Sequence, residues 1–212
     1  MELNNDKSLK DRIVIKKNIN IMQNLNDRIM VLYPGDQLPQ MTTDAIKIYL
    51  AGTMDFGSQE NDWQTKFANG VVQLTDPIKG ILMYKTTRFV IFNPHVPPQN
   101  QEAPDLNNPE FVQTMQWRMQ MQDMADIVFV NIMNKSKSPV PILEFGSNLR
   151  SGKMIVRCGE QHIMYSQIRL YCEKYNVPLL NGTANVKDIL LMMGSFVSKF
   201  QQDNPQNPGL PS

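Results

Sequence analysis

The sequence predicts an α/β fold in which a doubly wound parallel sheet carries helices on both faces. Two observations point to it. Short runs rich in Val, Ile and Phe, such as Asp126 to Asn131 and Arg88 to Phe92, have the pattern of strands covered on both sides. Longer stretches with helical spacing lie between such runs, and strand alternating with helix implies parallel strands joined by crossovers. The chain has 212 residues, enough for one domain of ordinary size with a real core.

Taken in order, residues 1–44 read as an appended arm with many Asn, Lys and Asp and no Gly before Gly35. Within it Met22, Leu25, Ile29 and Leu32 recur at helical spacing, and Arg12 to Lys16 alternates like a strand. Tyr33-Pro34-Gly35-Asp36 is a turn, and Leu38 to Asp44 a linker. The domain proper is expected over residues 45–200. Ile46 to Ala51 is its first strand, followed by Gly52 and a polar loop, and Trp63 to Ala68 belong to a helix begun near Ser58. Asn69 to Lys85 breaks the rhythm and reads as an insertion. Arg88 to Phe92 is the next strand, closed by Asn93-Pro94. Pro109 to Met124 is a helix with Phe111, Met115 and Met119 on one side.

The central unit spans Asp126 to Lys153. A buried strand leads through a polar loop to a helix expected to start at Ser138-Pro139, since Ser caps well and Pro fits the first helical position. Ser151-Gly152 is expected to end it. At ~100° per residue Ile142, Phe145 and Leu149 share one face and Glu144 falls opposite. Position alone favours a solvated acid there. The other reading is that ligands of open α/β sheets lie where strands end and helices begin, so this carboxylate could act as a nucleophile. Lys153 to Cys158 is then a strand, Gln161 to Tyr175 a helix, and Pro178 to Leu180 a short strand. Val186 to Phe200 forms a last helix with Ile189, Met192, Met193 and Phe196 inward. About five strands result. Residues 201–212, rich in Pro, Gln and Asn, are expected to be disordered.

Composition narrows the function. Lys plus Arg total 21 against 20 Asp plus Glu, a net charge of +1 that gives no general pull toward nucleic acid or membrane. No basic run is interleaved with aromatics, and no apolar stretch reaches about 18 residues. Two cysteines, Cys158 and Cys172, are too few for a disulfide framework and fit a reducing cytoplasm. Neither Gly-x-Gly-x-x-Gly nor a P-loop occurs, so nicotinamide and ATP readings drop. His95 and His162 lack metal-ligand spacing and read as loop and surface residues. Cys158 ends a buried strand, which argues against a thiol nucleophile. No metal and no cofactor are expected.

Several stretches together resemble the nucleoside 2-deoxyribosyltransferase superfamily, in its deoxyribosyltransferase-like branch. They are Ile48-Tyr49-Leu50-Ala51-Gly52, Asp62-Trp63-Gln64, Ile91-Phe92-Asn93-Pro94, Gln116-Trp117, Ala125-Asp126-Ile127-Val128, and Lys137 to Gly146 followed by Ser151-Gly152-Lys153. The resemblance implies a flavodoxin-like sheet acting on the N-glycosidic bond of a nucleoside or nucleotide. It also implies a homo-oligomer. The position matching the family nucleophile is Glu144, which would attack C1′ and form a glycosyl-enzyme. Ser138, six residues before it, matches a 5′-phosphate contact in nucleotide-hydrolysing relatives. Tyr49 and Gly52 match the loop lining the sugar and base pocket, and Asp55, Asn93 and Trp117 are expected beside them. One departure stands out: relatives carry an acid eight residues ahead of the position of Asp126, where this chain has Arg118. Another acid, Asp62 or Asp55, would then take its role, or Arg118 would bind phosphate, or the chain would hold a nucleotide, or sit in a larger assembly, without turning anything over.

Overall fold

Burial explains where the strands form. Ile127 to Ile132 is covered along its whole length, so a run of apolar β-branched and aromatic residues gains most as a central strand. The computed structural model describes residues 29–37, 45–54, 62–74, 88–96 and 105–203. In it six strands form one parallel sheet, ordered β1-β3-β2-β4-β5-β6. They are β1 (Ile29–Leu32), β2 (Ala45–Gly52), β3 (Arg88–Phe92), β4 (Ile127–Ile132), β5 (Met154–Cys158) and β6 (Leu179–Asn181). Leaving β1 aside, this is the flavodoxin-like order, in which the chain reverses its direction of travel between β2 and β4.

Five helices cover the sheet among the described residues: α1 (Trp63–Leu74), α2 (Pro109–Met124), α3 (Val140–Asn148), α4 (Tyr165–Tyr175) and α5 (Val186–Asp203). Strand alternation divides the core. Tyr49, Val128, Val130 and Val156 face Met121 of α2, Phe145 of α3 and Ile168 of α4. Ile48, Leu50, Phe129 and Ile155 face Trp63, Phe67 and Val71 of α1 and Ile189 and Met193 of α5. Trp63 meets Phe129 edge-on at 5.7 Å, and Phe67 stacks on it at 5.4 Å.

Several expectations change. Ile29–Leu32 of the supposed arm is a strand, pairing Ile29 with Phe89 through Leu32 with Phe92. Four consecutive apolar residues satisfy a strand and a helical i,i+3 spacing equally, and pairing with β3 decides. Asn69 to Leu74, read as the start of an insertion, continues α1, because Val71 is fully buried and Gly70 lets Val186 of α5 approach. Residues 75–87 lie outside the described residues, as do Met22, Leu25 and Arg12 to Lys16. In α2 it is Met121 that is buried, while Met119 is 55% exposed; methionines on every side left no clean stripe. Asn108 caps that helix, accepting from the N–H groups of Glu110 and Phe111.

Helix α3 begins at Val140 with Pro139 as its cap and Pro141 in its first turn. Ser138 sits just outside, its Oγ accepting from Val140 N–H at 3.3 Å. The helix stops at Asn148 rather than at Ser151, and Gly152 takes the left-handed φ of 72° in the turn that follows. Helix α4 starts only at Tyr165, after a turn that buries His162 and gives its Nδ1 an N–H from Met164; the surface role expected for this histidine does not hold. At the far end α5 runs on through Gln201 to Asp203, the first residues of the expected tail.

Candidate active site

Gly52 and β4 create the site. Gly52 ends β2 at a φ of 127°, and a Cβ there would run into the backbone of Asn131. Only glycine tolerates both the angle and the approach. The following Thr53 is pinned on two sides: its N–H donates to Asn131 O at 2.8 Å, and its Oγ1 accepts from Met133 N–H at 3.0 Å. Its carbonyl accepts from Trp63 Nε1 at 2.7 Å. The end of β2 is thereby fixed beside the end of β4, with the buried Gly52 N–H directed at α3.

Glu144 takes that N–H. Its Oε2 accepts from Gly52 N at 2.7 Å, and its Oε1 accepts from Tyr49 Oη at 3.2 Å. The carboxyl is only 5% exposed, so the solvated acid favoured by helix position alone is not what forms. The helical wheel is still correct in one respect, since Phe145 fills the core of α3. What the wheel lacks is the rim of the sheet, where Tyr49 and Gly52 reach the residue from outside the helix. Burial raises the Glu144 pKa from 4.5 to about 7; the Gly52 N–H, the Arg118 charge and the Tyr49 hydroxyl oppose that rise. Tyr49, fully buried beside a carboxylate, is pushed well above its ordinary value by burial first and Glu144 second.

Arg118 belongs to this group. Its charge stabilises both the Glu144 carboxylate and the Tyr49 phenolate. Its Nη2 donates to Pro94 O at 3.1 Å, tying α2 to the loop after β3, and its buried Nε has no hydrogen-bond partner among the described residues. Trp117, next along α2, meets Phe92 edge-on at 6.4 Å. Ser138 is half-buried at the approach to α3.

Other expected residues are placed elsewhere. Asp62 caps α1, its Oδ1 accepting from Thr65 N–H at 2.9 Å. Asn93 is fully buried, with Oδ1 accepting from His95 N–H at 2.9 Å. The Tyr33 hydroxyl lies against Thr65 and Asn93 with Asp62 nearby, which puts both residues on the α1 side of the sheet. Asp55 lies outside the described residues. Burial pushes the Cys158 thiol up to about 11, the wrong direction for a nucleophile. No group of three or more metal-ligating side chains occurs among the described residues. The sequence reading missed Gln122 and Asn148, which pack beside Tyr49 and Glu144. Their spacing, four residues after Arg118 and after Glu144 on successive helices, was the available signal.

A family model described as nucleoside 2-deoxyribosyltransferase like matches residues 45–162, more than half of the chain, from the first residue of β2 to the turn before α4. A search of curated proteins found no match.

Proposed function

The chain belongs to the nucleoside 2-deoxyribosyltransferase-like family, and we propose that it cleaves or exchanges the N-glycosidic bond of a nucleoside or nucleotide, with Glu144 as nucleophile. Membership supports nucleoside-related glycosyl transfer. One observation carries the finer reading: a buried carboxylate held by two donors where the strand order reverses, the crevice in which open α/β sheets bind ligands.

A carboxylate with a pKa of about 7 is a better nucleophile than an ordinary one and is still ionised in good part at neutral pH. An oxygen of Glu144 bonds to C1′ as the C1′–N bond breaks, and the electron pair leaves with the base, which takes a proton from water. The carboxylate also faces the positive charge that develops at C1′. Water or a second base then displaces Glu144 from C1′. Arg118 stands where the family resemblance leads one to expect an acid, and its role here is to keep Glu144 ionised despite burial. A 5′-phosphate, where the substrate has one, meets Ser138 and the first amides of α3. Asp62, committed to capping α1, is left out of the chemistry. The active form is a homo-oligomer, supported by Met119 on α2, Leu143 on α3 and Tyr171 on α4, which are 55%, 68% and 50% exposed.

The test is incubation of the purified protein with nucleosides, their 5′-monophosphates and NAD, with and without a free acceptor base, followed by mass spectrometry. Free base from one class, absent with Glu144→Gln, supports the mechanism and names the substrate. No product together with measurable nucleotide binding would convert the reading to a binding protein, with Arg118 as the reason for lost turnover.

A further inference from the structure

Buried polar side-chain atoms are normally paired, because a donor taken out of water without a partner is costly. Among the described residues five such atoms have no hydrogen-bond partner: Gln64 Nε2, Asn93 Nδ2, Trp117 Nε1, Arg118 Nε and Asn131 Nδ2. All five are N–H donors. Trp117 and Arg118 lie on the Glu144 side of the sheet, and the other three lie on the α1 side. Val130 and Ile132 face α2, α3 and α4, so Asn131 between them turns toward α1. Asn93 follows Phe92, which packs with the same group, and the alternation turns it toward α1 as well. Gln64 stands in the first turn of α1, directly after Trp63. Trp63 Nε1 donates to Thr53 O at 2.7 Å, and Thr53 N–H donates to Asn131 O at 2.8 Å, so the start of α1 is tied to the end of β4. Gln64, Asn93 and Asn131 are 1%, 0% and 1% exposed. The Asn93 amide has no choice of direction: its Oδ1 accepts from His95 N–H at 2.9 Å, which turns its NH2 the other way.

We propose that Gln64, Asn93 and Asn131 form a subsite on the α1 side of the crevice that reads the carbonyl oxygens of a nucleobase and so selects oxo bases over amino bases. Three unpaired donors with no unpaired acceptor beside them fit a ligand edge made of C=O groups. An exocyclic amino group would set donor against donor and leave both unpaired. Gly52 joins this subsite to the nucleophile. Its register partner on β4 is Asn131, and its N–H holds Glu144 Oε2 at 2.7 Å. A sugar at Glu144 thus lays its base across the Gly52–Thr53 turn onto Asn131. Phosphate oxygens share this chemistry, but the Asp62 carboxylate caps the same turn of α1 and repels a second anion. The nucleobase as carrier of these oxygens rests on the glycosidic reading, whereas the demand for acceptors without donors stands without it.

The experiment is calorimetric titration of the full chain with two matched pairs of free bases, uracil against cytosine and hypoxanthine against adenine, and with inorganic phosphate. The oxo member of each pair should bind at least about tenfold more tightly than its amino partner. Gln64→Glu and Asn131→Asp keep the side-chain shape but exchange the donor for an acceptor, and each should erase that preference. Thermal melting of each variant reports whether it folds, and Gln64→Glu, on a helix rather than a central strand, keeps the test open where Asn131→Asp does not fold. Amino bases bound as tightly as oxo bases, a preference unmoved in the folded variants, or no binding of any base overturns the proposal. So does phosphate binding that is lost in the same variants without any preference among the bases. Oxo-base binding without turnover of any nucleoside sinks the glycosidic reading and leaves the subsite intact. Turnover lost in Glu144→Gln but with a higher kcat/KM for cytidine and adenosine than for uridine and inosine sinks the subsite alone.

Discussion

Glu144 costs the fold stability in exchange for a reactive carboxylate. Its native pKa of about 7 exceeds the ordinary 4.5, so the native state holds the proton more tightly than the unfolded chain does. The contribution of this one group is therefore most favourable below about pH 4.5, falls as pH rises toward 7, and above that carries its whole penalty. The difference of about 2.5 units corresponds to about 3 kcal/mol. Denaturant unfolding at pH 5 and pH 8 should show this loss, and Glu144→Gln should remove most of it while also removing turnover. A Gln variant that unfolds more readily than wild type at pH 8 would make Glu144 a structural residue. Arg118 acts in the opposite sense. Arg118→Met takes away a charge that lowers the Glu144 pKa, so the acid limb of activity should move to higher pH, which a pH–rate profile reads directly. An unmoved limb would mean that the guanidinium is spent on Pro94 alone.

At the scale of elements, two joints hold the site in place. The first is the end of β2. Gly52→Ala meets both a disallowed φ and the Asn131 backbone, so it should cost at least about 2 kcal/mol in denaturant unfolding and shift the N–H that Glu144 needs. The second is the end of α2, where Lys153 Nζ donates to the carbonyls of Gln122, Asp123 and Ala125 at 2.7, 2.9 and 3.1 Å. A cation there also complements the helix dipole. Lys153→Met should lower stability by about 1–2 kcal/mol, seen as a lower melting temperature. Because the same turn carries Gln122, it should also loosen the Asn148 contact that ties α2 to α3. Both elements were legible in the sequence: Pro109 and Met124 bound α2 as read there, and Gly52 closed β2. Their roles were not, because each depends on a backbone atom of a strand or helix distant in sequence.

The whole molecule shows the same division between local and non-local information. Alternating strands and helices sufficed for a doubly wound parallel sheet, and five of its strands were readable from their apolar runs. The burial of Glu144 was not, since it depends on the sheet rim rather than on the helix. Nor was β1, a four-residue strand whose pattern also suits a helix and whose partner, β3, lies almost sixty residues on. β1 is nevertheless part of the sheet: Ile29 and Leu32 are each 6% exposed, and Leu32 O accepts from Asn93 N–H at 2.8 Å. Two truncated chains isolate its contribution, one beginning at residue 29 and one at residue 38. The second loses two buried apolar side chains and leaves the β3 edge, with Phe89 and Ile91, unpaired. It should melt about 10 °C below the first and scatter light on heating, since a bare apolar edge invites pairing with another copy. Equal melting temperatures would return residues 29–37 to the appended arm that the sequence alone suggests, and would make β3 the true margin of the sheet.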